Sequence, residues 1–461
     1  GKDDTDIKYD LLLFEDVNLD KKFDLKVDNV ISTLENLTGP KSGETMTYTI
    51  EVGGKALFKD NLIFAFVDYK NAVKETDEEN NITFNKANCK LEPVVGEFNP
   101  VLEWEWTGSN VSPSSNQVMC APVVANLNDD NEDGEIDMYD IPDIVFNTFV
   151  GSQYTYGGTL RAISGDGKKE LFSVTDYYTV PGSTPAIGDI DGDGIPEILV
   201  LEEFIEMNRK VRVLAFNNNG ELKWASPVLT HESIDGIASI AIGDIDADGE
   251  PDIVLGNNVL DNKGEVKWQG LGGYGKMNSI IADIDLDGFP EVVAGNTAYR
   301  SNGEILWQNT AVGDGFTAVG NFDDDEFAEI VVVTQGYVYL LEHTGEKIFG
   351  PVDIPPAGTD RDHGGPPTVA DFDNDGMAEI GVAGGYNYVV FETDGTVKWT
   401  SRIRDYSSNV TGSSVFDFEG DGIVEVVYCD EEYLRIYRGT DGQVLFSTYI
   451  GSGTLLEMPV V

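Results

Sequence analysis

Apolar positions in this chain fall in short β-branched and aliphatic runs separated by Gly, Pro, Asn and Asp, a pattern that predicts strands joined by turns. The stretch 186–197 shows it most sharply. It reads A-I-G-D-I-D-G-D-G-I-P-E, an apolar run that breaks into alternating aspartates and resumes as Ile198, Leu199 and Val200. Side-chain oxygens of Asp189, Asp191, Asp193 and Glu197 take loop positions one, three, five and nine, with Gly194 at position six, where the chain must turn sharply. A flexible loop wraps a hard cation in several oxygens in this way.

From Cys120 onward this unit repeats. Each copy has an apolar run, an acidic loop, a second apolar run, a third strand, a Gly-containing turn and a closing strand. The loop starts again at Asp244, Asp283, Asn321, Asp371 and Asp417. The closing half returns as G-E-L-K-W at Trp224, G-E-V-K-W at Trp268, G-E-I-L-W at Trp307 and G-T-V-K-W at Trp399, with weaker copies ending at Phe172, Phe349 and Phe446. With a divergent first copy there are seven units. Four-stranded units of this length match a β-propeller, in which blades bury their faces on one another and closure removes exposed edges. An open β-solenoid is the alternative, although its repeats are usually shorter.

The repeated apolar strand, D-x-D-x-D-G loop and second strand resemble the FG-GAP units of integrin α-subunit propellers and their bacterial relatives. The resemblance implies an all-β chain with a seven-bladed calcium-binding propeller over residues 98–461. Residues 1–97 lack the metal loop and read as a β-sandwich, Ig-like or jelly-roll-like, with strand runs at 10–14, 23–27, 46–52 and 61–66. Residues 67–81, with an acidic cluster and an Asn-Asn pair before a last strand at 82–85, resemble the end of the Ig-like cell-adhesion-related domain of bacterial and archaeal surface proteins. An acidic solvated turn between strands explains the same residues.

Candidate ligands follow loop by loop. The second unit offers Asp189, Asp191, Asp193 and Glu197, the third Asp244, Asp246, Asp248 and Asp252, and the fourth Asp283, Asp285, Asp287 and Glu291. The sixth offers Asp371, Asp373, Asp375 and Glu379, and the seventh Asp417, Glu419, Asp421 and Glu425. Shells of oxygen alone, without His or thiolate, point to several structural Ca²⁺ ions. In the fifth unit Asn321, Asp323, Asp325 and Glu329 keep the oxygens, but Glu326 replaces the glycine, so this site is expected to be weak or empty. In the first, residues 129–140 fit a twelve-residue calcium loop with Asp129, Asn131, Asp133, Asp137 and Asp140 at its side-chain positions and resemble a dockerin or EF-hand loop. Asn126, Asn128 and Asp130 offer a competing register.

Charge sharpens this picture. The chain has 461 residues, 82 acidic against 30 basic, for a formal net charge of −52. Such a density of carboxylates calls for counter-ions or bound divalent cations and argues against a nucleic-acid partner. No apolar run is long enough to span a bilayer, and the start at Gly1 reads as a processed or partial chain. Of three cysteines, Cys89 and Cys120 flank the domain junction and are a candidate pair in an oxidising compartment, whereas Cys429 in E-V-V-Y-C reads as a small buried hydrophobe. Sequons at Asn36, Asn81, Asn110 and Asn409 are compatible with glycosylation.

No catalytic constellation stands out. His231 and His343 sit in solvated turn contexts, and His363 lies in the polar turn D-R-D-H-G-G-P. Residues 402–414, rich in hydroxyls and holding two arginines, read as an inter-blade loop or a sugar- or partner-binding rim. The expected function is a secreted or cell-surface, calcium-stabilised structural or adhesion protein, not an enzyme, that self-associates or binds another surface protein. Residues 101–106 read as a closing strand without its own blade and 454–461 as the opening strand of an eighth unit, so these ends close the ring, continue into further chain, or add to a neighbouring molecule's sheet in a filament. The alternative is a carbohydrate-active propeller, a lectin or a polysaccharide lyase, since bacterial rhamnogalacturonan lyases also use calcium-bearing propellers.

Overall fold

A computed structural model describes residues 8–16, 21–23, 25, 28–39, 62–70, 73, 81–86, 100–204, 210–230, 238–355 and 364–461. The described residues are all-β and almost free of helix, and the chain divides into two compact units, Gly1–Gly96 and Glu97–Val461.

In the first unit the described residues form one antiparallel sheet of β1 (Lys8–Glu15), β2 (Asn29–Thr38), β3 (Leu62–Val67) and β4 (Ile82–Lys86), in the order β2-β1-β3-β4. Leu12 and Phe14, two apart on β1, point to one face and bury against Phe64 of β3, with the Phe14 and Phe64 rings stacked at 5.1 Å. The strand expected at 23–27 is not where the second strand lies. Phe23 packs on this core outside any strand, and Asn29–Thr38 pairs with β1 instead, its register shifted twice by bulges that blur the two-residue alternation in the sequence. The run expected at 46–52 lies outside the described residues.

The second unit is a succession of antiparallel sheets. In the third to seventh units each sheet has four strands in chain order. They are Ala241–Gly243, Asp252–Leu255, Asn258–Leu260 and Val266–Gln269, then Ile280–Ala282, Glu291–Ala294, Thr297–Tyr299 and Ile305–Gln308. Next come Phe316–Gly320, Glu329–Thr334, Tyr337–Leu341 and Lys347–Asp353, followed by Thr368–Ala370, Glu379–Ala383, Asn387–Phe391 and Val397–Arg402. The last is Ser413–Phe416, Glu425–Cys429, Tyr433–Arg438 and Val444–Tyr449. The first two units, opening at Val123–Ala125 and Ala186–Gly188, are joined into one larger sheet because Thr179 at the end of one pairs with Glu202 of the next. First strands of consecutive units lie beside one another all along the series.

Burial explains the sequence pattern. Second strands such as Glu329–Thr334 are buried at every position, which is why they read as unbroken apolar runs, whereas fourth strands are half-exposed. Units are hooked by their closing aromatics. The indole N–H of Trp268 donates to the carbonyl of Ser301 at 2.8 Å, that of Trp307 to His343 at 2.7 Å and that of Trp399 to Gly439 at 2.6 Å, each in the following unit. Each ring also covers the turn glycine of that unit. A Cβ on Gly345 would stand 2.5 Å from Trp307, and the φ of +79° there suits glycine alone.

The unmatched ends are not strands. Residues 101–106 carry no ladder, yet Trp104 donates to Gly165 at 2.8 Å and covers Gly167 of the first unit, while Trp106 meets Phe146 edge-on at 5.2 Å. Residues 454–461 run beside the opening strand of the seventh unit, where the Gly412 N–H donates to the carbonyl of Glu457 at 2.9 Å. Leu456 enters the core cluster that also holds Val180, Met277 and Phe316.

Candidate metal centres

Each acidic loop leaves a first strand and enters a second, and it is folded by its own side chains. The carboxylate at position one accepts the backbone N–H groups of positions five and six. Asp371 does so from Asp375 at 3.0 Å and Gly376 at 2.9 Å, and Asp189, Asp244, Asp283 and Asp417 repeat the pattern. Gly194 and its counterparts have positive φ, as the turn demands. The acid at position nine is the first residue of the second strand and is buried: Glu197, Asp252, Glu291, Glu329, Glu379 and Glu425 are all within 2% of full burial. One of its oxygens accepts the N–H of position two, from Phe372 to Glu379 at 2.7 Å for example, which leaves the other oxygen facing the loop.

Five groups of carboxylate oxygens converge, each with its ligand atoms within 4.8 Å of one another. They are Asp189, Asp191 and Glu197; Asp244, Asp246 and Asp248; Asp283, Asp285 and Glu291; Asp323, Asp325 and Glu329; and Asp371, Asp373, Asp375 and Glu379. Asp193, Asp252 and Asp287 stand outside these groups, and Asp417, Glu419, Asp421 and Glu425 of the seventh loop form none among the described residues. The fifth loop departs at Glu326 as its sequence does. Neither Asp324 nor Glu326 takes a positive φ, and the Asn321 amide instead donates to the carbonyl of Asp325 at 2.7 Å.

In the first unit both registers are folded. Asp129 accepts from Asp133 and Gly134 at 3.1 and 2.8 Å, as position one of the other loops does, and the Asp140 carboxylate closes the turn by accepting from Asp137 at 2.9 Å, Asp130 at 3.0 Å and Asn131 at 3.2 Å. Those bonds hold the Asp140 carboxyl below its ordinary range. Asn131 accepts from Asp133, and Asp137 accepts from Tyr139, at 2.9 and 2.8 Å. Meanwhile Asp143, wholly buried, accepts from Leu127 at 2.9 Å and so takes the seat of Glu197, with Asn126 and Asn128 at positions one and three. The sequence reading missed Asp143. Its place as the first residue of a second strand was the available signal.

Six buried oxygens in these loops have no hydrogen-bond donor: Asn126 Oδ1, Asn128 Oδ1, Asp143 Oδ1, Asp246 Oδ1, Glu329 Oε1 and Asp373 Oδ1. Buried acceptors without donors are costly, and a hard cation satisfies them where no N–H reaches, so the donor set fits a divalent ion bound by oxygen. Burial, reinforced by neighbouring carboxylates, pushes Glu291, Glu379 and Glu425 up to about 7 and Asp143 up to about 6. A cation among them opposes that shift.

Other singled-out residues fall elsewhere. His231, His363 and Cys89 lie outside the described residues, and the Cys89–Cys120 pairing with them. His343 is not simply solvated, because its ring stacks on Phe327 at 4.1 Å. In residues 402–414 the hydroxyls turn inward: Ser408 and Thr411 donate to the buried Asp405 at 2.8 and 3.0 Å, and Thr454 joins them. Arg402 lies over Tyr386 at 5.2 Å and donates to Tyr406 at 3.1 Å on the exposed side.

Fold and loops together define an all-β repeat protein with acidic inter-strand loops suited to metal ions. A family model for the FG-GAP-like repeat matches residues 189–255 and 321–382, so FG-GAP-like repeats are present in the second, third, fifth and sixth units. No curated protein matches the chain. Among solved structures it is similar to the V. cholerae biofilm matrix protein Bap1, with a TM-score of 0.66 and 22% identity over 77% of this chain and 84% of that one. It is also similar to the exotype rhamnogalacturonan lyase YesX, with a TM-score of 0.50 and 16% identity over 97% of this chain and 80% of that one. At these identities the likeness is one of fold.

Proposed function

We propose that this is a secreted or cell-surface structural or adhesion protein in which repeated Ca²⁺ ions staple the inter-strand turns of a propeller, joined to an N-terminal β-sandwich. The observation that carries it is the recurrence of one oxygen cluster, with orphaned buried acceptors, at the same place in successive units. A catalytic ion is needed once; a staple is needed in every unit. Seven complete units form the propeller, and its ends meet between the seventh and first, where 454–461 lies beside the seventh and Trp104 takes the closing seat on the first. Kinship of fold with a biofilm matrix protein supports an extracellular, non-catalytic role in which the protein associates with itself, another surface protein or glycans. Electron microscopy and light scattering with Ca²⁺ test the assembly part: filaments or ordered oligomers are expected, and dispersed monomers at high concentration would sink it.

A second reading, a carbohydrate-active protein, rests on one observation. Arg402, Tyr386 and Tyr406 form a cationic-aromatic patch on a strongly acidic chain, and the rings of Tyr386 and Tyr406 are 4.9 Å apart. Sugars stack on such rings, and an arginine pairs with uronate. A glycan array, together with an ultraviolet assay for unsaturated uronides, separates lectin from lyase, and silence in both leaves the structural reading.

A further inference from the structure

The lysine of the K-W closing pair occurs in only three of the six units from the second to the seventh, and there it enters the acidic loop. Lys223 Nζ pairs with Asp191 and lies 2.8 Å from Glu197. Lys267 Nζ lies 2.6 Å from Asp246 and 2.9 Å from Asp252. Lys398 Nζ lies 2.6 Å from Asp373, 3.4 Å from Glu379 and 3.0 Å from Glu392. Each ammonium thus bridges positions three and nine of its loop, on the Oδ2 atom of Asp191, Asp246 or Asp373, while Asp246 Oδ1 and Asp373 Oδ1 keep no donor.

The equivalent position on the fourth strand is Leu306, Ile348 or Leu445 in the fourth, fifth and seventh units. Among the described residues no lysine reaches Glu291, Glu329 or Glu425 there. Arg300 pairs only with Asp285 and Asp287, at 3.6 and 3.4 Å, and does not reach Glu291. Glu329 is fully buried, its Oε1 has no partner, and that acid belongs to the cluster with Asp323 and Asp325. A buried carboxylate without a counter-charge is strongly disfavoured, so the absence of the lysine leaves a demand for another cation.

We propose that the loops fall into two classes: in the second, third and sixth units the lysine is the resident counter-ion and competes with a divalent cation, whereas in the fourth and fifth, where carboxylate oxygens converge with no lysine, the buried glutamate is left to a divalent cation. The inference rests on reading the loops as cation sites and says which of them carry the protein's dependence on the ion. A Ca²⁺ ion at its usual ~2.3–2.6 Å from the other oxygen of the same carboxylate would stand only a few ångströms from the ammonium. The two positive charges repel across one carboxylate, so the ammonium weakens ion binding unless it swings into water. Competition of this kind is a reciprocal coupling between two ligands of one site. It also reverses the expectation for the fifth loop, whose missing glycine marked it as the weakest.

The test uses the full chain, stripped with chelator and titrated with Ca²⁺ by calorimetry and with Tb³⁺ by luminescence sensitised through Trp224, Trp268 and Trp399, which adjoin the lysines. Lys223→Met, Lys267→Met and Lys398→Met, which keep the apolar stem, should each raise affinity in one loop about tenfold or more. Leu306→Lys should weaken one of the tight sites by a similar factor, and it decides the matter if a methionine variant fails to fold. Wild-type binding of Ca²⁺ with unchanged affinities in all four variants would overturn the two-class inference and leave the staples standing. No binding of either ion by the wild type would overturn both.

Discussion

Trp104 donates its indole N–H to the carbonyl of Gly165 and covers Gly167, the same relation that Trp268 has to Ser301 and Gly303 in the next unit of its own series. The seat on the first unit is therefore filled by a residue that precedes all the units in sequence. If the two ends close the series, Trp104→Ala should cost about 3 kcal/mol in urea unfolding, close to the cost of Trp399→Ala. A loss nearer zero for Trp104 alone would show that the hook does not hold the ends together.

The turn under each aromatic has room for no side chain. Gly345→Ala places a methyl 2.5 Å from Trp307 at a φ of +79°, so it should destabilise by about 1–3 kcal/mol. Gly376→Ala shares the positive φ but meets nothing within 4 Å, so its loss should be smaller. Equal losses, measured by chemical denaturation, would refute the packing account.

Removal of the proposed ions should lower the thermal midpoint. At a hundred times Kd each site contributes about 2.7 kcal/mol to folding, and several sites add while they are independent. Calorimetric scans with Ca²⁺ and with chelator measure the difference, and coincident midpoints would contradict structural ions.

Glu457 lies in the segment beside the seventh unit, and burial pushes its carboxyl up to about 7 from the ordinary 4.5. The folded state then binds a proton that the unfolded state releases between those values. This contribution is complete below pH 4.5 and is lost as pH rises through 7. Stability of Glu457→Gln, followed by urea midpoints across that range, should decline less with pH than that of the wild type, and parallel profiles would remove Glu457 from the account.

Much of this was readable from residue order because the determinants are local. The D-x-D-x-D-G spacing dictates which oxygens face a loop, since position one must cap positions five and six whatever surrounds it, as Asp189 does. Closing strands were legible from G-E-x-K-W because a left-handed glycine and an aromatic four residues on define a hairpin. The strand Asn29–Thr38 was not legible, because bulges in its pairing with β1 break the alternation.

By itself, then, the sequence determined an all-β chain, the repeated unit, the loops and their ligand candidates, all consequences of neighbours within a dozen or so positions. Tertiary structure decided what depends on distant partners. Asp143 became the counterpart of Glu197 because it starts a buried second strand, and Trp104 found its seat 61 residues away. Lys223, Lys267 and Lys398 were unremarked surface lysines until the pairing of third and fourth strands carried them into the loops of their own sheets. Where the fourth strand carries Leu or Ile instead, the same fold leaves a buried acid uncompensated. Electrostatic partnership of that kind follows from the register between strands, which no run of residues states alone.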